Sequence, residues 1–299
     1  SEGGTWNMFS ELVQKYGLVP KYAMVETYQS SNTRHMNRQI INALRKATIK
    51  LRSNNADIKN IQKWALIDVV KILNACIGSP PIDFEFVYTD KDKMFINRGK
   101  VTPSCFYEMF CCNLHASTVC CNVPNLSMNK KYFVERQDPI GQGYYYNLNI
   151  EQIARAAAQQ IKNGHAVWFA SSTKMMDHNT GIMGVDIQDA DLIFDVDTKA
   201  TKAEQLEYNV SRVEHAMVLV GVNVRGDEII EWKVENSWGE DNGNKGFYVM
   251  SHGWFCEYVY EVVIFPEFIA IPEDCPIVRL NPWSVLGNAA ICGRGECVM

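Results

Sequence analysis

His215-Ala216-Met217-Val218-Leu219-Val220-Gly221-Val222 and, a short interval later, Trp232-Lys233-Val234-Glu235-Asn236-Ser237-Trp238-Gly239 decide how this chain is read. The first stretch is an apolar run of strand length led by a histidine. The second ends a strand pattern at an asparagine and enters a polar turn that closes at Gly246-Phe247-Tyr248. A strand led by His, a hairpin, and a strand ended by Asn place an imidazole beside a carboxamide. A histidine at the head of a strand is by itself an ordinary packing residue; the asparagine and tryptophan that follow give it a chemical setting.

Outward from that pair, the second half of the chain reads as a compact β-rich unit. Ile150 to Asn163 has the Ala-rich spacing of a helix closed by Gly164, and Ala166 to Ala170 reads as a buried strand. Short strand-like runs follow at Ala216 to Val222, Ile229 to Val234, Phe247 to Met250 and Val259 to Phe265, each bounded by Gly, Asn or Asp. The first half is more helical. Trp6, Phe9, Leu12, Val13 and Tyr16 recur at three and four, with Gly17 as the stop, and Asn32 to Leu51 and Asp57 to Cys76 read as two amphipathic helices. Phe84 to Tyr88 alternates like a short strand, and Thr102-Pro103 has the capping hydroxyl and first-turn proline of another helix. The last 33 residues, 267–299, read as a tail draped over the surface.

Composition excludes several classes. With 47% hydrophobic and 21% charged residues, the balance is that of a globular protein rather than a disordered or collagen-like one. The longest apolar runs are too short for a membrane span, and no signal-peptide pattern opens the chain. Twenty-nine Lys and Arg against 34 Asp and Glu give a net charge of −5, which disfavours a dedicated nucleic-acid binder. Ten cysteines are dilute at this length, and the adjacent pairs Cys111-Cys112 and Cys120-Cys121 do not form a disulfide frame, so reduced thiols and a cytoplasmic location are expected. The sequons at Asn125 and Asn209 then have no consequence. Cys111, Cys112, His115, Cys120 and Cys121 invite a zinc reading, but their spacing matches no common finger or ribbon, and neither metal nor cofactor is expected.

In a thiol protease the imidazole draws the proton from a cysteine, and an amide oxygen holds its other ring nitrogen. The resulting ion pair depresses the cysteine pKa to about 3–7. A neighbouring Trp shields the histidine–amide bond from water. Asn236-Ser237-Trp238-Gly239 with the upstream His215-Ala216 resembles the papain-like cysteine proteases. The fuller string from Trp232 to Gly246, then Trp254-Phe255-Cys256-Glu257-Tyr258-Val259-Tyr260-Glu261-Val262-Val263, is similar to the bleomycin hydrolase and aminopeptidase C branch. Gly3-Gly4-Thr5-Trp6, Tyr16 to Lys21, Tyr88 to Lys93, Thr102-Pro103 and Gly164 to Phe169 agree in the same order, so the resemblance runs from residue 1 to about 290.

The resemblance implies an α+β, papain-like fold. Residues 1–30 would end the left domain with its Gly-Gly loop, and 31–145 would form a mainly helical insertion. Residues 146–266 would form the β-barrel right domain, and 267–299 a tail towards the active-site cleft. It implies a cysteine aminopeptidase acting on peptides and related amides, with His215 as general base and acid, Asn236 as orienter and Trp238 as shield. Gly3 and Gly4 would pair with the substrate backbone, and the assembly would be a homohexamer. In that family the nucleophile precedes the Gly-Gly loop, after a Gln and in a Cys-Trp pair. None of the ten cysteines here is followed by Trp or Tyr or has that Gln. Three explanations stand open: an upstream segment carries the nucleophile, the protein is a non-catalytic papain-like interaction protein, or a cysteine of this chain, Cys105 foremost, takes over. Relatives end shortly after a segment like Asn281 to Ala290, their terminal carboxylate facing the substrate's free amine; this chain continues to Met299, so its tail is trimmed, alters that ruler, or is a disordered end with no role.

Overall fold

A computed structural model describes residues 4–53, 57–110, 114–134, 143–187 and 190–280. The chain divides into two compact units, Val13–Cys112 and Ser1–Leu12 with Asn113–Met299.

The unit of residues 13–112 is mostly helical. The first helix, α1 (Trp6–Tyr16), crosses the division between the units and ends where the sequence predicts, at Gly17. That residue has φ +78°, and a Cβ on it would lie 2.1 Å from the Pro103 carbonyl carbon, so the close approach of two backbones demands glycine. A short α2 (Tyr28–Ser31) follows, capped by Thr27, whose hydroxyl also donates to the Cys76 carbonyl at 2.7 Å. The expected pair of long helices is present as α3 (Arg34–Leu51) and α4 (Ile58–Ile77), the latter begun by Asp57 accepting from the Asn60 N–H and stopped at Gly78. β1 (Phe84–Thr89) is half of an antiparallel hairpin with β2 (Phe95–Val101), a strand the sequence reading missed. Its turn is organised by Asp90 Oδ1, which accepts from the N–H groups of Asp92 and Met94. α5 (Pro103–Met109) begins under the Thr102 cap and packs Phe106 against Phe84 and Val101.

The second unit is built on one eleven-stranded sheet. Its strands are β3 (Thr118–Cys121), β4 (Lys130–Val134), β5 (Tyr144–Asn147), β6 (Val167–Ser171), β7 (Met176–Asp177), β8 (Ile182–Met183), β9 (His215–Arg225), β10 (Glu228–Glu235), β11 (Phe247–Ser251), β12 (Val259–Ile264) and β13 (Ile277–Leu280). Their order is β13-β4-β5-β3-β12-β6-β9-β10-β11-β8-β7. α6 (Ile150–Lys162) lays Ile153, Ala154 and Ala157 fully buried into the main core, the small side chains allowing close approach. Among the described residues the unit also carries the shorter α-helices α7 (Ala190–Phe194), α8 (Lys202–Glu207) and α9 (His252–Tyr258). Trp232, Trp254 and Tyr248 are among the bulkiest fully buried side chains of the core.

Besides the β1–β2 hairpin, β3, β4 and the start of β5 fall inside the stretch expected to be mainly helical. They are only four or five residues long, and β3 is nearly continuous in its burial, so no alternation marks it. Their identity comes from distant partners: Val119 pairs with Val263 and Cys121 with Glu261, contacts invisible to a local reading. The described part of the tail enters the sheet as β13, an edge strand parallel to β4. Its expected course from residue 281 onward lies outside the described residues. No helix among the described residues is long and apolar enough to cross a membrane.

Candidate active site

The hairpin read from the sequence is the scaffold of the site. β9 lies between β6 and β10, and its first residue, His215, pairs across to Ser171 at the end of β6. Glu214, just before it, is tied down: its N–H donates to the Ser171 carbonyl, and its carboxylate accepts from Ser172 Oγ and from the Thr173 N–H and hydroxyl. Burial raises the Glu214 pKa, but those donors and Arg212 outweigh it and hold the carboxyl below its ordinary value. A charged anchor therefore fixes the backbone from which His215 projects.

Asn236 follows the last residue of β10, and its backbone N–H donates to the Gly246 carbonyl at 3.0 Å. The 237–246 loop is pinned from the side by the Gly243 N–H donating to the His178 carbonyl at 2.7 Å. Gly243 has φ +60°, and a Cβ there would sit 2.6 Å from the Phe247 carbonyl oxygen. The loop can close only with glycine at that point.

These elements bring the predicted pair together. His215 Nε2 and Asn236 Oδ1 are 2.7 Å apart. The same Oδ1 accepts from the Ser237 N–H at 2.8 Å, which fixes which end of the amide faces the ring. Because Oδ1 can only accept, the shared proton is assigned to Nε2, and the Nδ1 lone pair is left to act as base. Nδ1 makes no hydrogen bond among the described residues. Asn236 is buried, and its Nδ2 has no partner among them either.

Trp238 lies over the imidazole with centroids 4.4 Å apart and planes 26° from parallel. It is itself 38% exposed, so it shields one face of the pair and leaves its own outer face to solvent. Burial lowers the His215 pKa most; the Asn236 hydrogen bond raises it, and the charge of His178 lowers it again. The net position is below the ordinary histidine value, so the neutral, proton-accepting ring is favoured.

His178 carries no motif in the sequence. It stands edge-on to Trp238 at 4.8 Å, in the turn that holds the loop, and so forms part of the site's wall. No local pattern marks it, because it is brought there by the β7–β8 hairpin, which pairs β8 alongside β11.

Gly3 lies outside the described residues. Gly4 is exposed, with open space where a Cβ would stand, and joins none of the hydrogen bonds around His215. Thr5 beside it is buried and accepts from the Met8 N–H, anchoring the start of α1, and Trp6 packs on Trp168 of β6. Of the cysteines, Cys120 and Cys121 are fully buried in β3 and their thiols are pushed well up, chiefly by burial. Cys105 is exposed in the first turn of α5, in the helical unit. Cys111, Cys112, Cys292, Cys297 and the side chain of His115 lie outside the described residues. Among the described residues no thiol bonds to His215.

Similarity to known proteins extends over nearly the whole chain. The family model described as "Peptidase C1-like family" matches residues 1–287. Aminopeptidase G of Lactobacillus delbrueckii subsp. lactis is 34% identical over 299 residues, covering 95% of this chain and 68% of that protein. Human bleomycin hydrolase is 34% identical over 314 residues, covering 97% of this chain and 69% of the relative. The crystal structure of PepW from Lactobacillus rhamnosis HN001 superposes with a TM-score of 0.87 at 35% identity, covering 96% of this chain and 69% of that one.

Proposed function

This chain belongs to the peptidase C1-like family, and from that premise we propose that it is the His- and Asn-bearing part of a cysteine aminopeptidase of bleomycin-hydrolase type. The observation that carries the reading is the 2.7 Å bond from Nε2 of a half-buried imidazole to an amide oxygen that can only accept, beneath a stacked indole. That arrangement presents Nδ1 as a base.

A thiol placed at Nδ1 transfers its proton to His215, and the thiolate attacks the scissile carbonyl. The imidazolium then returns the proton to the departing amine. Water, deprotonated by the same ring, releases the acyl group. Asn236 keeps the ring in the productive tautomer throughout, and Trp238 limits water's access to the bond that does so. Cys256, Cys275, Cys120 and Cys121 are engaged elsewhere in the fold, which supports a nucleophile on a segment outside residues 1–299, in a Cys-Trp setting. Gly3 and Gly4 are proposed to pair with the substrate backbone. A cytoplasmic homohexamer is proposed on the strength of the resemblance, and apolar side chains exposed on α3 and α4, such as Ile49, Trp64 and Leu66, support their burial in an assembly.

Two measurements on the native protein test this. Intact mass under denaturing conditions should reveal a chain larger than 34.0 kDa, or a second polypeptide bearing a Cys-Trp segment. Hydrolysis of an aminoacyl anilide with a free amine, abolished by iodoacetamide and lost on N-acetylation of the substrate, should follow. A lone species at 34.0 kDa without thiol-dependent activity would instead establish the non-catalytic, interaction-protein reading.

A further inference from the structure

Glu151, His252 and Cys256 form a second cluster that the aminopeptidase chemistry does not use. His252 and Cys256 stand four residues apart on α9, hence on one face of it, and Glu151 reaches them from the first turn of α6. Three donor atoms converge. Glu151 Oε1 is 3.2 Å from His252 Nε2, Cys256 Sγ is 3.6 Å from the same nitrogen, and Sγ is 3.5 Å from Oε1.

Those three separations can be compared with the edges of a metal polyhedron. With zinc bonds of about 2.1 Å to N and O and about 2.3 Å to S, tetrahedral angles give edges of about 3.4 Å for N···O and about 3.6 Å for N···S and O···S. Each observed separation lies within about 0.2 Å of its counterpart. A thiol, an imidazole and a carboxylate form a mixed donor set that suits a borderline-soft ion and is poorly matched to magnesium or calcium.

We propose that Glu151, His252 and Cys256 bind one zinc ion per chain, tying α9 to the start of α6. The three protein ligands fill three tetrahedral corners and leave the fourth for water. On binding, Cys256 releases its proton to solvent and coordinates as the thiolate, Glu151 coordinates as the carboxylate, and His252 binds as the neutral ring. The ring is held by aromatic neighbours: Phe255 at 6.0 Å and 21°, and Trp232 at 6.2 Å. Its Nδ1 is buried without a hydrogen-bond partner among the described residues, so packing replaces the polar partner that usually orients a metal-bound imidazole. The sequence signal is His252-Gly253-Trp254-Phe255-Cys256, whose two ligand types at helical spacing gain a third only in the fold.

The test uses the full native protein stripped of metal, titrated with Co²⁺ and, in competition with a chromophoric chelator, with Zn²⁺. One equivalent of cobalt should give a sulfur-to-metal charge-transfer band. Cys256→Ser should abolish the band and weaken zinc binding by at least roughly 100-fold, since the loss of outer partners alone costs 10–100-fold. Glu151→Gln should keep the band and bind more weakly. Zinc should also raise the thermal midpoint of the native protein and leave that of Cys256→Ser unchanged, a readout independent of catalysis. A cluster that is only a hydrogen-bonded triad would give no cobalt band in the native protein; that result, or a band undiminished in a folded Cys256→Ser variant, overturns the proposal.

Discussion

Replacing Asn236 probes the residue that holds the His215 ring. Asn236→Ala removes the acceptor of the 2.7 Å bond from His215 and of the bond from the Ser237 N–H. During the reaction the ring becomes an imidazolium, and a hydrogen bond to a charged group contributes about 1.5–3 kcal/mol. At 1.36 kcal/mol per decade, kcat/KM should fall roughly 10- to 150-fold. The pH profile supplies a second readout. The Asn236 bond holds the His215 pKa up against burial, so its loss lowers that pKa further and moves the alkaline limb of kcat/KM to lower pH. Asn236→Asp preserves both hydrogen bonds and adds a negative charge beside the ring, so its limb should move to higher pH. The assay is hydrolysis of a free-amine aminoacyl anilide across pH, on protein that contains the nucleophile. A kcat/KM within about twofold of the parent, or limbs that fail to move in opposite directions in the two variants, would refute the assignment of Asn236 as the residue that sets the tautomer.

Other expectations follow from neighbouring structure. His178→Phe removes a ring whose charge lowers the His215 pKa, so that pKa, and the alkaline limb of kcat/KM with it, should rise; a limb that stays in place would show that His178 acts on packing alone. Gly243→Ala forces a side chain onto φ +60° and within 2.6 Å of the Phe247 carbonyl, which should cost about 1–3 kcal/mol and lower the calorimetric Tm; an unchanged Tm would contradict this loop geometry. Lys202 is buried, donates to the Cys256 and Val259 carbonyls, and has its pKa lowered by burial from 10.5 to about 7. Between those values the unfolded chain binds the extra proton, so this residue makes stability rise with pH from about 7 to 10.5, and that rise should vanish from urea melts of Lys202→Met.

How much of this was legible in the sequence depends on the range over which each feature is determined. The ends of α1 and α4 could be read because their stops are local: Gly17 and Gly78 both have positive φ. His215 and Asn236 were legible because a single hairpin joins them, and Trp238 because it lies two residues from Asn236. The strands β3, β4 and β5 were not, since short buried segments acquire their identity from register with β12 and with one another. His178 escaped for the same reason. It reaches the site through the β8–β11 pairing and the backbone bond to Gly243, neither of which leaves a pattern in nearby residues. Glu151 and Cys256 are similarly far apart in sequence and adjacent in space.

Under the proposed function, His215 serves as the base for a thiol carried by a Cys-Trp segment outside these 299 residues. The most direct test of that role is substoichiometric iodoacetamide labelling of the native protein at about pH 6, where ordinary thiols near pKa 8.5 are almost wholly protonated. Peptide mapping of the parent and of His215→Ala then locates the label. Rapid labelling of one cysteine followed by Trp, on a peptide not found in this sequence, is expected, with much slower labelling of that cysteine in His215→Ala. Label on Cys105 or any other of the ten cysteines here, or an equal rate in the variant, would contradict that role.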